Sequence, residues 1–221
     1  MYFISGLGAD RKAFERIKLN EKFSVHYLDW IKPLQKESLN EYAKRLAASI
    51  DISQPFAIVG LSMGGMVAAA MTEFLHPVKT ILISSLGSAN EFPLTFKLGR
   101  FFKVYQLIPG FILRKPNAIT YWLFGAKTRN EKALMDYLIS NVDVHFVRWA
   151  IAAILHWKDK IRPPSIFQIH GSADKILPVK YTRPDVIIDG GSHFLVWTKA
   201  GEVSRLLEQV LNSSWTLPNT P

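Results

Sequence analysis

The residue types that act together in nucleophilic catalysis occur at informative places in this chain of 221 residues. Ser62 stands in G-L-S-M-G, residues 60–64, which matches the pattern G-x-S-x-G. A serine hydroxyl is a weak nucleophile near neutral pH and needs a neighbouring base, most often a histidine that a carboxylate orients. The motif therefore directs attention to the histidines and carboxylates that could reach Ser62.

The residues on either side of Ser62 predict a strand, a sharp turn and a helix. Residues 56–59 form an apolar run typical of a buried strand, and residues 63–75 follow with a helical pattern of small residues. In that context the glycines make room for a tight turn that strains the serine backbone. The helix directs its free N–H groups and the positive end of its dipole toward the hydroxyl. We interpret Ser62 as a nucleophile; the alternative is that the glycines serve helix–strand packing alone.

His193 is the best candidate among six histidines for the base. It lies in D-G-G-S-H-F, residues 189–194, a loop that follows the last predicted strand at the end of the sheet where Ser62 is expected. His170 ends its own strand, and a structural role at the strand edge fits it better than the role of the base. The remaining histidines fit packing or surface roles, with a pocket-lining role open for one of them, His156. These four are His26, His76, His145 and His156.

Two aspartates could orient the histidine and stabilise its protonated form. Asp174 lies in H-G-S-A-D-K-I-L-P, residues 170–178, in a loop after a predicted strand. Asp189 stands only four residues before His193 and could instead end its strand or cap the loop. We favour Asp174 and keep Asp189 as the alternative.

The rest of the chain predicts an α/β architecture that would place these loops together. Apolar, β-rich runs predict six strands, at residues 2–5, 23–28, 56–59, 78–84, 165–169 and 186–188. Helical spacing predicts helices at residues 38–50, 63–75 and 199–211, the first opened by a capping box of Ser38 and Glu41. Strands separated by helices favour a parallel sheet covered on both faces.

Residues 88–162 interrupt that alternation and hold twelve Lys and Arg against five Asp and Glu, a net charge of +7. Apolar residues on one arc of a helix are Leu94, Leu98, Phe101, Phe102 and Tyr105, with Lys97, Arg100 and Lys103 on another. The later part also has a helical, aromatic-rich pattern, through Trp122, Phe124, Trp149, Ile151, Ile154 and Trp157. We interpret residues 88–162 as a helical lid inserted between two core segments, residues 1–87 and 163–221.

Composition excludes several classes of function. The chain has no cysteine, so disulfides, thiolate metal sites and a cysteine nucleophile are excluded. Residues 1–20 lack the basic and apolar regions of a signal peptide, and no apolar run is long enough to span a membrane, so we expect a cytoplasmic protein. The basic residues match no nucleic-acid-binding module. Peripheral contact of the basic lid with an acidic membrane is a weaker alternative to a solvated surface.

The order Ser62, Asp174, His193, with G-L-S-M-G-G, H-G-S-A-D-K-I-L-P and G-G-S-H-F, resembles the α/β-hydrolase superfamily, especially its small esterase-like members. The resemblance implies a trimmed sheet of about six strands with a lid. It also implies that Ser62 is the nucleophile, His193 the general base and Asp174 its acid partner, with the oxyanion held by the backbone N–H groups of Leu7 and Met63. The chain departs from the family at residues 5–6, where Ser-Gly replaces the frequent His-Gly.

These parts predict hydrolysis of a carboxylic ester, or a related acyl bond, of a small and partly apolar substrate, without cofactor or metal. A thioesterase, a C–C bond hydrolase or a cofactor-free perhydrolase would use the same three residues. A non-catalytic protein that binds a small molecule under its lid is the alternative from another class. The acyl chain, the leaving group and the oligomeric state are left open by the sequence.

Overall fold

The computed structural model describes residues 1–94, 96 and 109–213 of the chain. Its centre is a six-stranded sheet in the order β2-β1-β3-β4-β5-β6, in which every neighbouring pair is parallel. The strands are β1 (Tyr2–Ile4), β2 (His26–Leu28), β3 (Ala57–Leu61), β4 (Lys79–Ile83), β5 (Ile166–Gly171) and β6 (Val186–Ile188). All six predicted strands are confirmed, with shifts of one to three residues at most of their ends.

Helices connect and cover the strands. They are α1 (Leu39–Ala47), α2 (Met63–Met71), α3 (Gly110–Leu113), α4 (Ala118–Phe124), α5 (Arg129–Ser140), α6 (Val144–Leu155), α7 (Leu195–Thr198) and α8 (Ala200–Asn212). The predicted capping box is present, because the Ser38 side chain accepts from the Glu41 N–H and Glu41 accepts from the Ser38 N–H. Of the helices described, none alone has the length and apolarity to cross a membrane; α5 and α6 meet that criterion as a pair bent by 95°.

The core lies on both faces of the sheet because neighbouring residues of a strand point to opposite sides. In β3, Ile58 packs into the layer formed with α1 and α2, whereas Val59 packs into the layer formed with α7 and α8. Both side chains are fully buried. The central strand β3 is therefore apolar without alternation, as a parallel sheet covered on both faces requires.

The strand register brings four loops to one edge of the sheet. Ile4 lies opposite Gly60, Leu61 opposite Ile83, and Gly171 opposite Ile188. The loops after β1, β3, β5 and β6 all start at this carboxyl edge, which is where open α/β sheets bind ligands. They carry residues 5–9, Ser62, Asp174 and His193, respectively.

The described residues between β4 and β5 form the helices α3 to α6. Trp122 and Phe124 lie in α4, while Trp149, Ile151 and Ile154 lie in α6, so the helical pattern predicted for these five residues is confirmed. Trp157 follows the end of α6. Of the predicted basic amphipathic helix, Leu94 is described and exposed, and the part from Lys97 to Tyr105 lies outside the described residues. The division into core and lid stays a prediction.

Candidate active site

Ser62 occupies the turn between β3 and α2 in a conformation that side chains rarely adopt. Its φ is 51° and its ψ is −118°, and its backbone N–H donates to the Ile83 carbonyl at 2.9 Å. Glycine is needed on both sides of the turn. A Cβ at Gly60 would collide with the backbone of Gly64, and a Cβ at Gly64 would collide with the carbonyl oxygens of the neighbouring strand β1 and its loop. The strain predicted for this serine is therefore present.

The structure brings Ser62, His193 and Asp174 into one chain of hydrogen bonds. His193 Nε2 lies 2.9 Å from Ser62 Oγ, and His193 Nδ1 lies 2.8 Å from Asp174 Oδ2. A carboxylate only accepts hydrogen bonds, so Nδ1 carries the proton and Nε2 faces the serine hydroxyl as an acceptor. The histidine and the aspartate are both buried, at 4% and 5% exposure, which keeps water from competing for these bonds.

Asp174 is held as a carboxylate by its surroundings. Its Oδ1 accepts the backbone N–H groups of Ile176 and Leu177, each at 2.9 Å. Burial alone would raise the pKa of Asp174, but the charge of His193 and the hydrogen bonds from His170, His193 and the Leu177 N–H hold that pKa well below its usual range. The carboxylate can therefore stabilise a positive charge on His193.

Asp189 was the alternative aspartate, and a pocket-lining role was left open for His156. Neither residue takes part in this chain of hydrogen bonds. Asp189 Oδ1 accepts from Ser172 Oγ at 3.0 Å and so closes the loop after β6, as the capping alternative supposed. His156 is exposed, with Nδ1 2.8 Å from the carbonyl oxygen of Ala152 one helical turn earlier. His170 is completely buried beside Asp174, a contact that the sequence reading did not anticipate.

The loop after β1 lies against Ser62, since a Cβ at Gly6 would be 3.5 Å from the Cβ of Ser62. Two side chains shape this loop: Ser5 Oγ donates to the Ala9 carbonyl at 2.5 Å, and the Trp30 indole N–H is shared by the carbonyls of Gly6 and Ala9 at 3.2 and 3.0 Å. Ser5 thus supports the loop through its own side chain. Sequence reasoning missed Trp30, because nothing in its local pattern indicates the loop it reaches.

The predicted oxyanion donors lie in elements that flank Ser62. Met63 is the first residue of α2, so its backbone N–H has no acceptor within the helix. Leu7 follows Gly6 in the loop that lies against Ser62. Gly6 and Leu7 both line the cavity described next. An oxyanion bound between these two N–H groups stays a prediction.

An apolar cavity of about 440 Å³ opens beside Ser62 and His193. Among the described residues that line it, these two alone carry a polar side chain. The segment between β4 and β5 contributes Phe96, Phe124, Met135, Leu138, Ile139, Val142, Ile151, Ile154 and Leu155. The Phe124 ring stands edge-on to the His193 ring, with 5.5 Å between ring centroids. The cavity has the size and the apolar character of a small-molecule site with a few polar groups at one end.

The described residues form no candidate metal site. Within residues 1–94, 96 and 109–213, no group of three or more His, Asp or Glu side chains could hold a metal ion.

Solved structures with this architecture include an esterase from Thermogutta terrifontis, with a TM-score of 0.69 and 18% sequence identity over 95% of this chain and 88% of that one. A lipase-esterase related protein from Clostridium acetobutylicum has a TM-score of 0.68 and 16% identity, over 94% and 92% of the two chains. A bromoperoxidase from Bacillus anthracis has a TM-score of 0.65 and 15% identity, over 96% and 91%.

This chain has the α/β-hydrolase fold. Ser62, Asp174 and His193 lie in the loops after β3, β5 and β6, at the carboxyl edge of the sheet. No family model matches the sequence, and no curated protein matches it either. At these identities the likeness concerns the fold, and the activity has to be argued from the site itself.

Proposed function

We propose that this α/β-hydrolase-fold protein is a serine hydrolase that cleaves a carboxylic ester, or a related acyl bond, of a small and partly apolar substrate. The observation that carries the proposal is the hydrogen-bonded chain Asp174–His193–Ser62 at one end of an apolar cavity. A protein that only binds a small molecule needs neither of these two hydrogen bonds, whereas acyl transfer uses both.

In the proposed first step, Ser62 Oγ attacks the acyl carbonyl carbon while His193 Nε2 takes the hydroxyl proton. The proton then passes from Nε2 to the leaving oxygen as the bond between that oxygen and the acyl carbon breaks, which leaves the acyl group on Ser62. Water attacks this acyl-enzyme with His193 again as base, and the acid is released. Asp174 keeps the proton on His193 Nδ1 and stabilises the imidazolium that forms in each step.

The negative charge that develops on the carbonyl oxygen would be met by the N–H groups of Leu7 and Met63. The positive end of the α2 dipole adds to that field, because the helix begins directly after Ser62. Donors fixed in advance in a site shielded from water are among the largest contributions to catalysis of acyl transfer.

The cavity supports an apolar acyl or alcohol group as the substrate part that is bound. Its volume of about 440 Å³ and its wall of Leu, Ile, Val, Met and Phe side chains would stabilise a hydrocarbon group by removing it from water. A charged group placed in the same cavity would find Ser62 and His193 as its polar partners among the described lining residues. We therefore expect an uncharged acyl chain to be preferred over a carboxylated one.

The test is p-nitrophenol release from a series of acyl esters of increasing chain length, compared between the wild-type protein and the variants Ser62→Ala and His193→Ala. Both variants should lose activity by about 10⁴-fold or more, because Ser62, His193 and Asp174 would act as a unit and removal of one member disables the other two. The exposed residues Ser49 and His76 offer matched controls, and Ser49→Ala and His76→Ala should leave the rate unchanged.

Covalent labelling by a fluorophosphonate provides an independent readout of the nucleophile. Labelling should occur in the wild-type protein and be lost in Ser62→Ala. Equal background hydrolysis in all variants, together with no labelling, would reject the serine hydrolase and favour the binding protein. Turnover of thioesters in preference to oxygen esters would keep Ser62 as the nucleophile and change the substrate class.

A further inference from the structure

A second histidine contacts the aspartate of the proposed active site. His170 lies near the end of β5 and is completely buried. Its Nε2 lies 2.7 Å from the Leu177 carbonyl oxygen and 3.3 Å from Asp174 Oδ2. The proposed reaction assigns no proton transfer to this ring, so its burial beside the carboxylate calls for another role.

The protonation state of His170 follows from its neighbour Gln168. The Arg162 guanidinium only donates, so it binds Gln168 Oε1, and Gln168 Nε2 donates to the Ser85 carbonyl at 2.9 Å. That orientation of the amide turns Nε2 toward His170 Nδ1, at 3.4 Å. Nδ1 is therefore the acceptor, and the ring proton lies on Nε2, where it points at Leu177 and Asp174.

One carboxylate oxygen is consequently shared by two imidazoles. Asp174 Oδ2 accepts from His193 Nδ1 at 2.8 Å and also faces His170 Nε2. The other oxygen is occupied by two backbone N–H groups of the loop 174–177. His170 binds the carbonyl of Leu177 in the same loop, so it holds both the carboxylate and the backbone that carries it.

We propose that His170 is a positioning residue of the active site, which fixes Asp174 and limits how strongly the carboxylate draws on His193. This inference rests on the proposed hydrolase function. The neutral ring donates its Nε2 proton to the Leu177 carbonyl at 2.7 Å, and this polar N–H lies 3.3 Å from Oδ2, so it competes with His193 for the charge on that oxygen. Removing the donor should leave more of this charge to the imidazolium of His193 and loosen the loop 174–177.

The ionisable groups around His170 can be assigned to specific elements. Of the described residues, Asp174 is the ionisable side chain that His170 contacts directly. His193 from the loop after β6 is reached through Asp174, and Arg162 and Asp185 are reached through Gln168. A change at His170 should therefore be transmitted to His193 mainly through Asp174.

The experiment compares His170→Leu, which removes the donor, with His170→Gln, whose amide can place an N–H near the position of Nε2. Rates with the preferred p-nitrophenyl ester are measured against pH and normalised to fluorophosphonate-labelled sites. His170→Leu should lower kcat about tenfold, a loss typical of removing a side chain that orients a catalytic group, here the Asp174 carboxylate. KM should stay within about twofold, because His170 does not line the cavity. The acid limb of kcat/KM should move to higher pH, and His170→Gln should recover most of both effects.

A merely structural role for His170 predicts a different result. It would reduce the number of labelled sites while leaving kcat per labelled site and the acid limb unchanged, and that outcome would overturn the proposal. An absence of turnover in the wild-type protein would reject the hydrolase function instead, and the contact of His170 with Asp174 would then be judged by magnetic resonance.

Nitrogen-15 spectra of the histidine rings provide that measurement without turnover. In the wild-type protein His170 should be the neutral form with its proton on Nε2, and the Nδ1–H proton resonance of His193, which reports its hydrogen bond to Asp174, should move in His170→Leu. A proton on Nδ1 of His170 would contradict the proposal even if His170→Leu fails to fold, and an unmoved Nδ1–H resonance of His193 in a folded variant would contradict it as well.

Discussion

Ser62 illustrates how single residues set the geometry of this site. Its positive φ is tolerated because glycines on both sides leave space for the backbone of the adjoining helix and strand. Strain of this kind costs on the order of 1 to 3 kcal/mol and persists only where the surrounding structure enforces it. Here the close contacts at Gly60 and Gly64 involve backbone atoms. The direction of the Ser62 hydroxyl is therefore set by the main chain as well as by the side-chain rotamer.

Trp30 acts on the same site from a distance of 32 positions along the chain. Its indole N–H holds two carbonyls of the loop that contains Leu7, and its ring lies 5.3 Å from the ring of Phe146. The backbone next to Trp30 is itself fixed, because the Tyr42 hydroxyl donates to the Ile31 carbonyl and accepts from the Ile31 N–H, both at 2.8 Å. Helix α1 thus supports the proposed oxyanion loop through two aromatic residues.

Trp30→Phe should lower kcat by up to about tenfold and leave KM nearly unchanged. The variant keeps the aromatic packing but frees two carbonyls of the loop, and its effect should be smaller than the 10²- to 10³-fold loss that follows removal of an oxyanion donor itself. Steady-state kinetics with the preferred ester test this expectation. Trp122→Phe, at an exposed position, is the matched control. A rate equal to that of the control would exclude a role of Trp30 in the loop.

At the scale of elements, an ion pair between Glu91 and Arg162 joins the two ends of the segment between β4 and β5. Glu91, after β4, accepts from the Gly87 N–H at 3.0 Å, and its carboxylate lies 3.7 Å from the Arg162 guanidinium. Arg162, before β5, also binds Gln168 and lies 3.5 Å from Asp185. Both partners of the Glu91–Arg162 pair are shielded from water, with side chains 6% and 17% exposed.

Arg162→Met should lower the free energy of unfolding by about 3 kcal/mol, because it leaves the buried carboxylate of Glu91 without a cationic partner. Urea denaturation measures the loss. Adding Glu91→Gln to this variant should restore part of the stability, since it removes the uncompensated charge.

Arg205 provides the comparison for this prediction. It lies on the exposed face of α8 and donates to Gln209 one turn later, so Arg205→Met should change stability by less than about 0.5 kcal/mol. Equal stabilities of the two arginine variants would show that the Glu91–Arg162 contact does not hold the ends of the segment.

At the scale of the whole molecule, the active-site carboxylate should contribute to the dependence of folding on pH. The pKa of Asp174 in the folded protein lies below its ordinary value of 3.8, owing to the charge and hydrogen bonds that outweigh its burial. A carboxylate with a lowered folded pKa binds fewer protons in the folded than in the unfolded state. Its stabilising contribution is therefore complete above the unfolded pKa and is lost as the pH falls through the folded one.

Below about pH 4, the unfolding free energy of the wild-type protein should fall more steeply with pH than that of Asp174→Asn. The difference in slope should approach about 1.4 kcal/mol per pH unit, the value for one proton. Urea unfolding at a series of acidic pH values measures both slopes. Parallel curves would mean that Asp174 is protonated equally easily in the folded and unfolded states.

The sequence determined the six strands, the helices α1, α2 and α8, and the order of these elements. Strands β1 and β3 are contiguous apolar runs, α1 begins at a capping box, and the glycines around Ser62 mark a turn that no bulkier residues would permit. Such features depend on neighbours within a few positions, so they can be read locally. The parallel six-stranded sheet then followed from the alternation of strands and helices.

Only the tertiary structure decided which distant side chains meet. It placed Asp174 and not Asp189 on His193, brought the indole of Trp30 to the loop after β1, and put the ring of His170 against the carboxylate. The apolar wall of the cavity was likewise assembled from helices between β4 and β5 and from loops of the core. These contacts join residues far apart in the chain and depend on strand register and helix packing, which have no counterpart in any local pattern of residues.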